Sequence, residues 1–368
     1  MALTKVDQTM VSDQVFGRRN LIINGDMRVA QRATSATVGP NGTGEGYQTL
    51  DRWRHGLNNT AVTTVSQSTT VPTGEGFANS MKIDVTTADT SVASNDFWFF
   101  TTKLEGQDLQ RIKKGTSNAE KLTLSFWVRS TKTGVYVVEL VDNDNSSRAV
   151  SLSYTIASAD TWQKVELVFP ADTTGAFDND NNASLEIGWW LVGGSNYTSG
   201  TLNTTWGSQT NANRAVGQVN LFDSTSNEYY ITGVQLEVGD NATPFEHLSY
   251  GEEFTNCSRY FQVIGFQEDA FGAYSVSTTR GFVSLPMLPM RGNPTGALSD
   301  LETRYFSSAN DNSWNSTSGT VFILGNTSFQ YNASAVVIPT IAITVDYAGD
   351  RTDVFGLIRG KLTLDAEL

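Results

Sequence analysis

A chain of 368 residues has room for two domains of ordinary size, each able to bury a core. With 38 acidic against 25 basic residues and a net charge of −13, nucleic acid and anionic membrane surfaces are unfavourable partners, because both are held by Lys and Arg against phosphate. A single cysteine, Cys257, excludes an internal disulfide framework and a Cys-based zinc site, and no run approaches the ~18 apolar residues of a membrane helix.

Residues 1–17 carry Lys5, Asp7 and Asp13 and no apolar core, so they do not read as a signal peptide. Residues 20–238 read as all-β, in short alternating runs parted by Gly, Asn, Asp, Ser and Thr. The expected strands are 20–23, 52–54, 62–67, 81–85, 97–104, 122–129, 135–141, 152–156, 162–169 and 185–191, with a weaker one at 218–222. Only 105–113 has a helical texture. In the clearest strand Leu122, Leu124, Phe126 and Val128 face one way, and Thr123, Ser125, Trp127 and Arg129 the other. Leu185, Ile187, Trp189 and Leu191 alternate in the same way. About ten strands at this spacing suit a two-sheet jelly roll.

Residues 229–261 organise the rest. Tyr230, Thr232, Val234, Leu236 and Val238 fall on one face of a strand, which Gly239 and Asp240 stop. Ser249 and Glu252 form a capping-box pattern, and Tyr250, Phe254, Cys257 and Phe261 make an apolar helical stripe. Beyond it, 272–278 and 281–287 read as a hairpin, followed by strands at 321–324, 328–331, 335–338, 341–347 and 361–368, the last with Leu362 and Leu364 inward. The prolines of 286–294 rule out a central strand there.

Several of these stretches carry a family resemblance. ITGVQLEVG followed by ATPFEH and a short helix ending in CSRYF, NLIINGDMRVAQR at 20–32, LDRWRHG at 50–56, LTLSFWVRSTKTG and DTWQKVELVFP together resemble bacteriophage tail-fibre and related virion appendage proteins. In those proteins the segment closes a jelly roll similar to a carbohydrate-binding module. The resemblance covers residues 1–260 well and the rest loosely, and it marks fold and virion context rather than a ligand. ALTKVDQTMVSD resembles the leader of some phage fibre proteins, which implies attachment to other virion proteins. The expected organisation is all-β: an attachment segment at 1–19, a jelly-roll sandwich at 20–248, a connecting helix at 249–261 and a second β-sandwich at 262–368. The implied protein is made in a host cytoplasm and carried on the virion. It is a non-enzymatic homotrimeric fibre or knob that contacts host-surface glycan. The alternatives are a capsid decoration or head fibre without a ligand, and a glycan depolymerase.

Catalytic motifs are missing from the sequence. His55 and His247 are its two histidines, and neither lies near a nucleophile elbow. Glycoside hydrolysis needs only two carboxylates, so Asp51, Asp96, Glu139, Glu166 and Glu186 keep it open on residue type. The loops Asp142-Asn143-Asp144-Asn145 and Asp178-Asn179-Asp180-Asn181 offer hard oxygens for a structural calcium, with plain Asx turns as the alternative. No other cofactor and no metal ligand is assigned. Strand phase points Trp127 and Trp190 out of the core, where an indole can stack on a sugar ring. These two and Arg129 are the candidate glycan residues, with Ser125, Glu139 and Glu186 as polar neighbours. The competing expectation is that loop 193–217 or a partner chain covers the tryptophans.

Overall fold

Side chains alternate in burial along 62–66, 81–86 and 163–169, as a sheet with one face on a core requires, whereas the longest strands, 183–193 and 228–238, are buried on both faces. The computed structural model describes residues 18–265 and, beyond them, 271–277, 280–286, 288–291, 294–305, 315–316, 318–322, 340–346 and 355–368. The chain divides into two units, Met1–Glu253 and Phe254–Leu368. The first contains β1 (Ser35–Val38), β2 (Gly46–Tyr47), β3 (Arg54–Asn58), β4 (Val62–Ser68), β5 (Ser80–Thr87), β6 (Phe97–Glu105), β7 (Leu122–Ser130), β8 (Gly134–Asp142), β9 (Arg148–Ile156), β10 (Gln163–Phe169), β11 (Ala183–Gly193), the short helix α1 (Ser195–Thr198), β12 (Gly207–Ser208) and β13 (Glu228–Val238).

Six of these strands form an antiparallel sheet in the order β1-β4-β5-β13-β7-β10, and seven form a second, β12-β9-β8-β11-β6-β3-β2. Successive strands such as β6 and β7, or β10 and β11, lie in different sheets, which is jelly-roll wiring. Both sheets feed one core: Leu124, Phe126 and Val128 from β7 meet Ile187, Trp189 and Leu191 from β11. Trp189 is its centre. It stacks on Phe100 at 5.3 Å and 3° and meets Phe126 edge-on at 5.9 Å. Burying each large apolar side chain here is worth about 1.5–3 kcal/mol.

The expected single face of the 230–238 strand is corrected. Pairing with β7 slips between Thr232 and Gln235, and Gly233 at φ +62° supplies the extra residue. Before this bulge Tyr229 and Ile231 face the core; after it Val234, Leu236 and Val238 do, and Tyr230 and Thr232 are on the other side. Gln235 and Glu237 then bind the returning ATPFEH segment: Gln235 Nε2 donates to Thr243 O, and Glu237 Oε2 accepts from Thr243 N. Residues 20–23 are not a strand but run beside β13, with Leu21 N donating to Leu236 O and Val234 N to Gly25 O. The Asn24 side chain reaches both Val29 and Asp51, and Trp53 Nε1 donates to Asn24 O, so the NGDM and LDRWR stretches form one knot. The strand expected at 52–54 starts at Arg54, because Arg52 sits at φ +72°. Residues 218–222 form no strand; a 3₁₀ turn lies at Leu221–Asp223 instead. The 105–113 stretch holds two such turns.

The division between units falls within α2 (Tyr250–Ser258). Its capping box is present: Glu252 N donates to Ser249 Oγ, and Glu252 Oε2 accepts from Ser249 N. The expected stripe is broken, with Cys257 buried, Phe254 half-buried and Tyr250 56 % exposed. In the second unit, β14 (Phe261–Gly265), β15 (Phe271–Ser277), β16 (Arg280–Pro286), β17 (Thr295–Tyr305), β18 (Asn315–Ser316), β19 (Ser318–Phe322), β20 (Thr340–Asp346) and β21 (Phe355–Asp365) belong to one sheet. β15 and β16 pair as the expected hairpin, and Leu362 and Leu364 are buried as read from the sequence. The strands expected at 328–331 and 335–338 lie outside the described residues.

Candidate functional site

The outer face of the seven-stranded sheet carries a cleft, and strand register sets its composition. Glu139 of β8 pairs with Gly188 of β11, Gly188 with Thr101 of β6, and Thr101 with Arg54 of β3. This gives a four-residue row across four strands whose second member has no side chain. A Cβ at Gly188 would stand 3.3 Å from Thr101 Cγ2, so a side chain here would take up space on the floor of the row that glycine leaves open. On one side lie Trp190 and Phe99, paired across β11 and β6; on the other lie Glu186 and Lys103. The resulting cleft holds ≈ 250 Å³, with Gln209 and Arg214 closing it from the loop that follows α1.

Arg214 is the link between loop and sheet. Its Nε lies 2.9 and 3.0 Å from the two carboxylate oxygens of Glu139, and its Nη2 lies 2.8 Å from Oε2. The guanidinium sits 5.0 Å over the Trp190 ring and 6.0 Å from that of Tyr197. Burial raises the Glu139 carboxyl above its ordinary range, and Arg214 partly offsets this. An aromatic wall continues from Trp190 through Phe99 at 5.3 Å to Phe97 at 5.4 Å. Thr101 Oγ1 and Ser151 Oγ, at opposite flanks of the Glu139–Gly188 pair, are buried without a hydrogen-bond partner. The cleft therefore combines an aromatic wall, fixed charge pairs and a spare hydroxyl.

No protein-family model and no curated protein sequence matches the chain. Among solved structures it is similar to a putative sugar binding protein from Bacteroides thetaiotaomicron, at 14% identity and TM-score 0.32 over 60% of this chain and 100% of that one. It is also similar to TmCBM61 in complex with β-1,4-galactotriose, at 12% identity and TM-score 0.29 over 60% and 99%. A third is the enzymatically active domain of bacteriophage CBA120 tailspike protein 4, at 14% identity and TM-score 0.31. That match covers 60% of this chain but 21% of the tailspike chain. Similarity this low assigns neither a ligand nor an activity.

The three residues singled out from the sequence do not converge. Trp127 and Arg129 point outward from β7, as strand phase requires, but on the six-stranded sheet. Trp127 is half-buried, and Arg129 Nη2 pairs with Asp160 at 2.8 Å while its guanidinium lies 5.0 Å over Tyr230. Trp190 belongs to the other sheet and is not an open platform: it is 1% exposed, packed with Val137 and Ala215 and against Tyr197 and Leu202 of the covering loop. The competing expectation, coverage by loop 193–217, describes it. Glu139 and Glu186 do line the cleft with Trp190, whereas Ser125 lies opposite Gln235 on the other sheet.

The remaining candidates are occupied elsewhere. Asp51 accepts from Gln31, Asp96 from Ala93 N, and Glu166 pairs with Lys164 on β10. His55 lies in the core with neither ring nitrogen hydrogen-bonded, and His247 packs at the surface on Phe77 and Phe245. In the first acidic loop Asp142 accepts from the N–H groups of Asp144 and Asn145 and from the Lys114 ammonium. Lys114 also meets Asp172, Thr174 O and Gly175 O, so a lysine cation fills the oxygen-rich point beside this loop. In the second, Asp180 accepts from Asn182, an ordinary Asx turn. Among the described residues no group of three or more His, Cys, Asp or Glu is placed to hold a metal.

Proposed function

We propose that the cleft binds a neutral glycan and that the chain is a non-enzymatic part of a bacteriophage virion appendage, a tail fibre or knob that holds the particle to its host. The observation that carries the reading is the row Glu139–Gly188–Thr101–Arg54 lying beside Phe99, the partly exposed ring of the wall, with the covered Trp190 packed behind it. A sugar offers C–H faces to an aromatic wall and hydroxyls that donate and accept to fixed polar groups. Charges here are balanced: Arg214 with Glu139, Arg54 with Glu45, and Lys103 4.0 Å from Glu186. That suits an uncharged, hydroxylated ligand better than a phosphate. At ≈ 250 Å³ the cleft lies below the ~300–1,000 Å³ of drug-sized sites, so one or two sugar rings fill it. Such a site is weak by itself, and many copies on a particle raise avidity by ~10²–10⁴.

The virion context is supported by the resemblance of residues 20–32, 50–56 and 231–247. Immunogold labelling of particles tests it, and competition tests attachment: purified chain in excess should reduce adsorption of particles to host cells. Unlabelled particles would remove the virion reading; labelled particles with unchanged adsorption would remove the attachment reading. The second reading, a capsid decoration or head fibre without a ligand, is favoured by the burial of Trp190. Unstable particles with normal adsorption after deletion would select it.

A further inference from the structure

The six-stranded sheet ends at β10, which pairs with β7 on one side and with no strand on the other among the described residues. An unpaired edge of seven residues presents free backbone donors and acceptors and is a template for another strand. The side chains of this edge have a particular order. Val165 and Phe169 face the core. The alternate residues Lys164, Glu166 and Val168 face out and are exposed, the last at 42%. Trp162, half-buried, precedes them with the same parity. The outer row therefore reads Trp-Lys-Glu-Val, apolar at its ends and of opposite charge at its middle.

From this order we infer that β10 joins two copies of the chain, as an antiparallel pair centred on Val165 that continues the sheet through a twofold axis. In that register Lys164 of each copy stands opposite Glu166 of the other, and Trp162 opposite Val168. Both ion pairs and both apolar pairs are satisfied by one operation, as an isologous contact requires. Neighbouring registers fail. Centring on Lys164 sets lysine against lysine, and centring on Glu166 sets glutamate against glutamate. A shift by half a step places inward side chains opposite outward ones and turns a core face to solvent. In the single chain Lys164 and Glu166 satisfy each other along the strand at 2.7 Å, so pairing exchanges partners rather than leaving charges unmatched. It also covers Val168, one of three large apolar residues exposed among those described. The twofold axis is normal to the sheet, so the two clefts face the same way.

The full chain is examined by sedimentation velocity across a concentration series. Wild type should form a dimer that dissociates on dilution, and high salt should weaken it. Lys164→Glu and Glu166→Lys should each self-associate roughly tenfold or more weakly, because two attractive cross-strand pairs become repulsive. Mixing the two variants restores Lys–Glu opposition at both positions, and so does combining them in one chain; both preparations should dimerise like wild type. All substitutions are at exposed positions, and matching thermal midpoints confirm the fold. Independently, amide exchange in β10 should slow as concentration rises. A monomer at ~100 µM, a trimer indifferent to the charge changes, association of either single variant equal to wild type, or β10 protection independent of concentration would overturn the inference.

Discussion

His55 makes the fold sensitive to acid in a calculable way. It lies on β3 at 1% exposure, its ring 6.4 Å from Phe100, with no hydrogen bond to either nitrogen. Burial, assisted by the charge of Arg54, lowers its pKa from 6.5 to about 4. The unfolded chain therefore takes up a proton below pH 6.5 while the folded chain stays neutral until about pH 4. Stability is full above pH 6.5, falls by ~1.36 kcal/mol per pH unit between the two values, and levels off below about 4. Over about 2.5 units the loss is ~3.4 kcal/mol, with roughly 2 kcal/mol gone by pH 5. Urea unfolding of wild type and His55→Phe from pH 7.5 to 4 isolates this contribution, because carboxylate effects common to both cancel in the difference. The variant should gain on wild type by ~3 kcal/mol as pH falls from 7 to 4. Parallel stability curves would show that His55 is solvated or hydrogen-bonded, and would refute the reasoning.

Two further substitutions probe buried charge. Lys114→Met removes the ammonium that Asp142, Asp172 and two carbonyls surround, and should lower stability by about 3–5 kcal/mol in thermal or urea unfolding. Arg214→Ala should cost a similar ~3–5 kcal/mol at neutral pH, since Glu139 then stays buried without its partner. Its carboxyl would be raised further, so the deficit should shrink as pH falls and the group protonates; the same change should open Trp190 to acrylamide quenching.

Alternation made the jelly roll legible, because strands half-buried on a core announce their inward rows: Leu122 to Val128 and Leu185 to Leu191 lie as their spacing requires. The bulge at Gly233 was not legible, since one extra residue reverses the phase of everything after it and the sequence shows merely a glycine. Phase likewise sent Trp190 away from the core but could not say what lies above it; the cover comes from an irregular loop with no period. Arg54, Phe99, Thr101, Gln209 and Arg214 were missed because a cross-strand row exists only once strand order and register are known. Two signals were available: Gly188 set between the bulky Ile187 and Trp189, and Phe97 and Phe99 alternating with Trp98 and Phe100, which puts aromatics on both faces of β6. The number of copies is not written in strand periodicity: the resemblance to fibre proteins implies three, the proposed β10 pairing implies two, and sedimentation distinguishes them.

Under the proposed function the seven-stranded face, and not the Trp127 face, holds the glycan. Calorimetric titration of host-surface polysaccharide into wild type, Gly188→Leu and Trp127→Ala, each with an unchanged far-ultraviolet dichroism spectrum, tests it most directly. Leucine at 188 would fill the floor between Thr101 and Glu139. Wild type and Trp127→Ala should bind alike, and Gly188→Leu at least ~10-fold more weakly. Undiminished binding by Gly188→Leu, or loss of binding in Trp127→Ala, would contradict the account.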